Sequence, residues 1–314
     1  MSNQEPQSAR AVLMVRPARF GFNPETAATN LFQRDDPAGG KLAHERVLGE
    51  FNALAEALAR AGVHVIVGED SAVPVKPDAV FPNNWVSFHH DGTVVLYPML
   101  AVNRRLERRE ELIAQVAREG SFRIARTVDL SYRETEGKFL EGTGSLVLDR
   151  ASRIAYACLS ARTDLDVLGE FAQQLDYELM TFDALDGAAA IYHTNVLMAV
   201  GTHFAVVCGA SIQNTQHRDA VCSKLAATGH AIIDISLDQM RRFAGNVLEL
   251  DCARGKLITV SSAAWSALDP RQRRQLESHG EIVAADIATI ERLGGGSVRC
   301  MLAEIHLPPR SDPK

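Results

Sequence analysis

The sequence predicts an α/β propeller of five ββαβ-type modules set around a pseudo-fivefold axis. Three observations lead there. One order of elements recurs along the chain: two apolar strands joined by a turn, then a helix, then a third strand. The residues at equivalent junctions, Asn84, Gly144, Asn195, Asn246 and Ser297, are separated by 60, 51, 51 and 51 residues, and periods of this size mark repeat architectures whose equivalent elements gather about an axis. Every repeat also contains a helix, whereas the blades of an all-β propeller of similar period are strands throughout. With 314 residues and 46% hydrophobic content, the chain has enough apolar side chain for a large core.

Residues 11–15 form an apolar strand. The polar stretch 17–40 behind it is too long for a simple connector and reads as a lid or substrate-contacting loop. Leu42, Val47, Leu48, Phe51, Leu54 and Leu58 recur at helical spacing until Gly62 ends the helix, and 63–67 follows as a strand. The next module has strands 81–88 and 94–97 about a turn ending in Asp91-Gly92, a strong hairpin signal, then a helix over 103–118 and a strand over 122–128. Another opens at Glu141-Gly142-Thr143-Gly144, with strands to 148 and over 154–159, a helix over 164–174 and a strand over 177–182. The pattern returns with strands 193–200 and 204–207, a helix over 218–227 and a strand over 231–235. It returns again with strands 245–250 and 256–260, a helix over 270–278 and a strand over 281–283. Gly294-Gly295-Gly296 then leads into a last strand, 298–305, which carries Cys300 and completes the first module. Residues 1–10 read as a polar tail, 11–307 as a single domain and 308–314 as a C-terminal tail.

A formal net charge of −6 provides no general attraction to nucleic acid or acidic membranes. Residues 1–10 lack the apolar core of a signal peptide, and no apolar run approaches the length of a membrane span. A cytoplasmic protein with a small-molecule partner is expected, and a homo-oligomer stays open. Five cysteines with no C-x-x-C pair argue against a disulfide framework or a zinc site. His89-His90 belongs to a hairpin turn rather than to a metal site, and Gly142-x-Gly144 lacks the third glycine and following helix of a dinucleotide fingerprint. No metal or organic cofactor is expected.

If the modules are related by rotation, their first-strand entrances converge on one axial mouth. The side chains there are Asn83 and Asn84, Glu141, His193 and Asn195, Asn246, and Cys300. A thiol, an imidazole and a carboxylate from three different modules are what activated-thiol chemistry needs: a nucleophile, a base and a group that orients the base.

At these residues the chain resembles the pentein superfamily of guanidine-modifying enzymes, over about residues 11–307. The resemblance rests on Glu-Gly-x-Gly at Glu141, His-x-Asn at His193 and Gly-Gly-Gly-x-x-x-Cys at Cys300, in that order. It implies Cys300 as nucleophile, His193 as general acid and base, and Glu141 as the supporting carboxylate. It implies Arg162 as a substrate-carboxylate ligand, with Arg104 or Arg105 as a second, of which Arg105 is the chosen candidate. Asn83, Asn84, Asn195, Gly295 and Gly296 complete the expected substrate-binding set. Where arginine deiminases carry aspartates that grip a guanidinium cation, this chain has Asn84 and Asn195. An amide supplies no counter-charge but offers both a donor and an acceptor, which suits a neutral ureido group. The branch it is most similar to is the citrulline-utilisation hydrolases, and the implied reaction is citrulline to ornithine, ammonia and carbon dioxide through a covalent Cys300 adduct. An arginine deiminase or amidinotransferase acting on a guanidino substrate is the alternative, and a non-catalytic ribosome-binding member of the same fold is a remote one.

Overall fold

The computed structural model describes residues 5–35 and 40–310. Its strands are β1 (Ala11–Arg16), β2 (His64–Glu69), β3 (Val86–Phe88), β4 (Thr93–Leu96), β5 (Arg126–Asp129), β6 (Val147–Asp149), β7 (Ile154–Cys158), β8 (Glu178–Phe182), β9 (Leu185–Asp186), β10 (Ala189–Ala190), β11 (Met198–Val200), β12 (Phe204–Val207), β13 (Ala231–Asp234), β14 (Leu248–Cys252), β15 (Gly255–Ser261), β16 (Glu281–Ala285) and β17 (Ala303–Ile305). One triplet recurs five times: an antiparallel pair, then a parallel partner reached through a helix. The triplets are β17-β1-β2, β3-β4-β5, β6-β7-β8, β11-β12-β13 and β14-β15-β16. A parallel pair cannot be joined by a tight turn, which is why each crossover carries a helix. Parallel pairing of β17 with β3 joins the first two triplets into a six-stranded sheet and thereby ties the chain's C-terminal part to its N-terminal third.

The helices cover the sheets with one apolar face each. In helix Gly40–Ala61, Val47, Phe51, Leu54 and Leu58 are fully buried and pack with Val12 and Met14 of β1, the pattern expected of an amphipathic surface helix. No helix among the described residues is long and apolar enough to cross a membrane.

Three expectations need correction. Four of the strands that open the modules are shorter than the apolar runs suggest, because their runs begin with a helical turn: Pro82–Asn84, Gly142–Ser145, Thr194–Leu197 and Val298–Met301. Cys300 therefore sits on a turn before β17 rather than within a strand. These turns pack on one another, and the approach is close: Gly142 has φ +46°, and a Cβ there would lie 2.3 Å from the Asn83 carbonyl oxygen. Only glycine tolerates both conditions.

The expected helix over 103–118 divides into a 3-10 turn, Val102–Glu107, and helix Glu110–Glu119. The break lets Arg104 turn inward to Glu107 while Arg108 reaches Glu134. Residues 5–10, expected as part of a tail, are packed instead. Gln7 donates to the carbonyls of Leu148 and Val200 at 2.9 and 3.0 Å, Ser8 bonds Glu249, and buried Glu5 accepts from Arg150 at 3.0 Å and Arg153 at 2.8 Å. Gln7 thereby satisfies backbone carbonyls of β6 and β11, and Glu5 and Ser8 pair with charged side chains.

Candidate active site

The inner turns bring Cys300 and His193 to one narrow cleft, with Asn84, Arg104, Arg162, Tyr192 and the loop Gly294 to Gly296 in its walls. Residues of the long N-terminal loop, Thr26 and Asn30, close its outer side. Only about 10 Å³ of space remains inside, room for little more than a water. Admission of a substrate therefore requires this loop to move.

Gly295, at φ +63°, ends helix Ala288–Gly294. A Cβ there would lie 2.5 Å from Asn30 Nδ2, and Asn30 donates to the carbonyls of Gly294 and Gly295. The glycine run thus lets the loop lie directly against the turn that delivers the thiol. Cys300 is 3% exposed. Its sulfur faces two amide donors, Asn195 Nδ2 at 3.5 Å and Asn246 Nδ2 at 3.4 Å. Asn246 also bonds the Asn195 carbonyl at 2.8 Å and accepts from the Arg299 N–H at 3.0 Å, so it joins three successive module entrances.

Behind the imidazole, Glu141 Oε2 meets His193 Nε2 at 2.9 Å and Arg162 at 3.3 Å, while Oε1 accepts from the Leu100 N–H at 3.1 Å. Burial alone would raise the Glu141 pKa, but the Arg162 guanidinium, the His193 bond and the Arg104 charge outweigh it and hold the carboxyl well below the usual range. An ionised Glu141 only accepts, so His193 carries its proton on Nε2 and presents Nδ1 as a free base. Burial, opposed by Glu141, pushes the His193 pKa down to about 4. The imidazole is neutral at neutral pH.

The same shift is a statement about stability. As pH falls from 6.5 toward 4, the unfolded imidazole gains a proton that the folded one refuses, so stability present above 6.5 is lost through this window. Buried His89 and His306 shift in the same direction. Thermal melts between pH 4 and 7 should show the midpoint falling with pH, and His193→Gln should flatten part of that slope. An unchanged slope would place the proton uptake elsewhere.

The expected substrate-binding residues separate into groups. Arg162 is 2% exposed and lies 4.8 Å over the Tyr192 ring; besides Glu141 it donates to Thr29 and the Thr26 carbonyl of the long loop. Asn195 is turned to the Cys300 sulfur. Asn83 faces away from the cleft and donates to Thr143 at 3.3 Å. Arg105 is corrected: it lies outside the cleft, bonded to the Met99 carbonyl and paired with Glu134 at 3.4 Å. Arg104 takes the inner place. Both nitrogens of one edge of its guanidinium meet Glu107 at 2.9 Å, and Nη1 donates to Asn84 Oδ1 at 2.9 Å.

Sequence reasoning missed Asp78. This carboxylate lines the cleft, is 2% exposed, accepts from Asn23 at 2.7 Å and Thr26 at 3.1 Å through Oδ2, and has no protein partner for Oδ1. Burial, against the pull of Arg104, raises its pKa. Its setting, Lys76-Pro77-Asp78, reads as an exposed turn, and only its nearness to Asn84 along the chain hinted otherwise.

The family model of the eukaryotic N,N dimethylarginine dimethylhydrolases matches residues 16–307, while no curated protein matches the chain by sequence. Among solved structures, apo ArgZ, an arginine dihydrolase of the ornithine-ammonia cycle in Cyanobacteria, superposes with a TM-score of 0.74 at 17% identity over 95% of this chain; the chain spans 41% of that protein. The N-terminal domain of ArgZ, as a cysteine-to-serine variant bound to substrate, superposes with a TM-score of 0.72 at 16% identity, covering 93% of this chain and 96% of that one. A dimethylarginine dimethylaminohydrolase adduct with S-methyl-L-thiocitrulline superposes at 0.65 and 16% identity, covering 95% and 100%. The structural likenesses agree in fold with the match that spans nearly the whole sequence: the chain belongs to the N,N dimethylarginine dimethylhydrolase family, hydrolases of the pentein superfamily.

Proposed function

We propose that the chain is a cysteine-dependent hydrolase of a neutral ureido amino acid, with citrulline as substrate and ornithine, ammonia and carbon dioxide as products. The observation that carries this reading is Asn84. Arginine has no acceptor, so the atom of Asn84 that faces Arg104 is the carbonyl oxygen. The amide NH₂ is left as a buried donor without a protein partner, close enough to His193 that a Cβ on Gly144 would touch both. An unpartnered donor in a buried site costs about 1 to 3 kcal/mol, and a substrate acceptor relieves that cost. A ureido oxygen is such an acceptor, and a guanidinium has none.

In this mechanism the Cys300 proton passes to His193 Nδ1 and the sulfur attacks the ureido carbon. The oxygen that gains charge is held by Asn84 Nδ2. His193 returns the proton to the departing ornithine amine, leaving S-carbamoyl Cys300. Water, deprotonated by His193, attacks the carbamoyl carbon, the thiol leaves, and the released carbamate breaks down to ammonia and carbon dioxide. Asp78 would face the substrate α-ammonium group, and Arg162 its carboxylate. The five strand triplets would surround a pseudo-fivefold axis with this cleft at one end.

Asp78 also favours a second reading. A cleft carboxylate with a free oxygen could pair with a guanidinium, and the structural neighbours include a complex with L-arginine. Steady-state consumption of citrulline, arginine and dimethylarginine, with ornithine as the product expected from the first and citrulline with ammonia or dimethylamine from the other two, separates the two readings. Citrulline alone should turn over, and Asn84→Ala should lower its kcat by about a hundredfold or more. A higher kcat/KM for either guanidino compound would overturn the ureido reading in favour of the second.

A further inference from the structure

A second cavity, of about 520 Å³, lies on the other side of the long loop. Its floor is apolar. Phe32 and Phe243 pack there with ring centroids 5.1 Å apart. Its rim is basic, although the chain as a whole is acidic. Arg34 and Arg242 line it, and neither side chain has an ion-pair or hydrogen-bond partner among the described residues. The carboxylates in the wall are already engaged: Asp186 is held by Arg241, and buried Glu291 accepts from Ser297 at 2.6 Å.

Each wall leads into the catalytic cleft within a few residues. Phe243 has φ +62°, a conformation that is a genuine outlier for a bulky side chain and persists only where its surroundings impose it. Its carbonyl accepts from the Asn246 N–H at 2.8 Å, and Asn246 is one of the two donors to the Cys300 sulfur. Phe32 packs edge-on against Tyr192 at 6.1 Å. Tyr192 stacks on His193 at 4.6 Å and donates to the Gly295 carbonyl at 2.6 Å. The Arg34 N–H bonds the Arg292 carbonyl at 2.8 Å, which joins the loop to the helix that ends at Gly294.

We propose that this cavity binds a small organic anion with a flat apolar body, and that its occupancy holds the long loop against the catalytic turns. The anionic group would bridge Arg34 on the loop and Arg242 beside Phe243, and the apolar body would lie on the two phenylalanines. Because substrate entry and product exit require the loop to move, the bound anion slows opening and lowers both kcat/KM and kcat.

Calorimetric titration of the full chain with benzoate, its neutral analogue benzamide and inorganic phosphate tests this. Benzoate should bind saturably, with benzamide and phosphate each at least about tenfold weaker. Arg34→Ala and Arg242→Ala should each weaken benzoate by about tenfold and leave turnover without benzoate unchanged. Benzoate should lower kcat and kcat/KM in the wild type and in neither variant. No saturable binding, equal binding of benzamide, unchanged affinity in the double variant, competition with the substrate, or binding without a kinetic effect would each overturn the proposal.

Discussion

Cys300→Ser is expected to leave a folded protein that still binds citrulline and no longer turns it over, with kcat reduced at least about ten-thousandfold. The substitution exchanges sulfur for oxygen at a site 3% exposed, and the donors of Asn195 and Asn246 suit either atom. Packing is therefore kept and the melting temperature should move little. Reactivity is lost because a hydroxyl is a far weaker nucleophile than a thiol and a ureido carbon is a poor electrophile. Calorimetric binding of citrulline beside a sensitive ornithine assay would check both halves. Turnover within tenfold of wild type would remove Cys300 as the nucleophile.

Glu141→Gln should damage both stability and rate. The carboxylate is fully buried and serves His193, Arg162 and the Leu100 N–H at once, with Arg104 3.8 Å away. An amide has one acceptor oxygen, so at least one of these partners is lost and the guanidinium groups no longer face a negative charge. Removing one partner from a buried ion pair costs about 3 to 5 kcal/mol, which lowers the melting temperature by roughly 5 to 8 °C in a chain of this size. The rate should fall by about a hundred- to ten-thousandfold, because His193 loses the acceptor that keeps Nδ1 free. A variant that kept wild-type kcat would mean that His193 is oriented by something other than this carboxylate.

The two substitutions differ in what they disturb, and so does the legibility of the residues they touch. Cys300, His193 and Glu141 stand out in the sequence because each lies within three residues of one of the aligned junctions, Ser297, Asn195 and Gly144. Asp78 has no such partner in the pattern. It enters the cleft because the loop holding Asn23 and Thr26 folds back over it, a contact across more than fifty residues that no local periodicity encodes.

The choice between Arg104 and Arg105 shows the same limit more sharply. Consecutive residues of a 3-10 turn point about 120° apart, so one of the two must face inward and the sequence cannot say which. Glu107 and Asn84 decide it by capturing Arg104, and Glu134 takes Arg105. The opening turns were read as strands for a related reason, since a four-residue helical turn leaves too little periodicity to distinguish from the strand it precedes. The packed segment 5–10 shows it once more, because polar residues read as solvated until the backbone groups they satisfy are in view.

By itself the sequence determined the repeat, the order of strands and helices within it, the thiol, imidazole and carboxylate, and the asparagines that stand near them. These depend on burial patterns along single segments and on spacing between them. Only the tertiary structure decided which arginine faces the cleft, that Asp78 belongs to it, and that Asn246 shares the sulfur with Asn195. It also decided that Asn84 presents its NH₂ rather than its carbonyl. Each of those depends on the direction of a side chain, and in a close-packed interior that direction is settled by the partner across the space rather than by the neighbour along the chain.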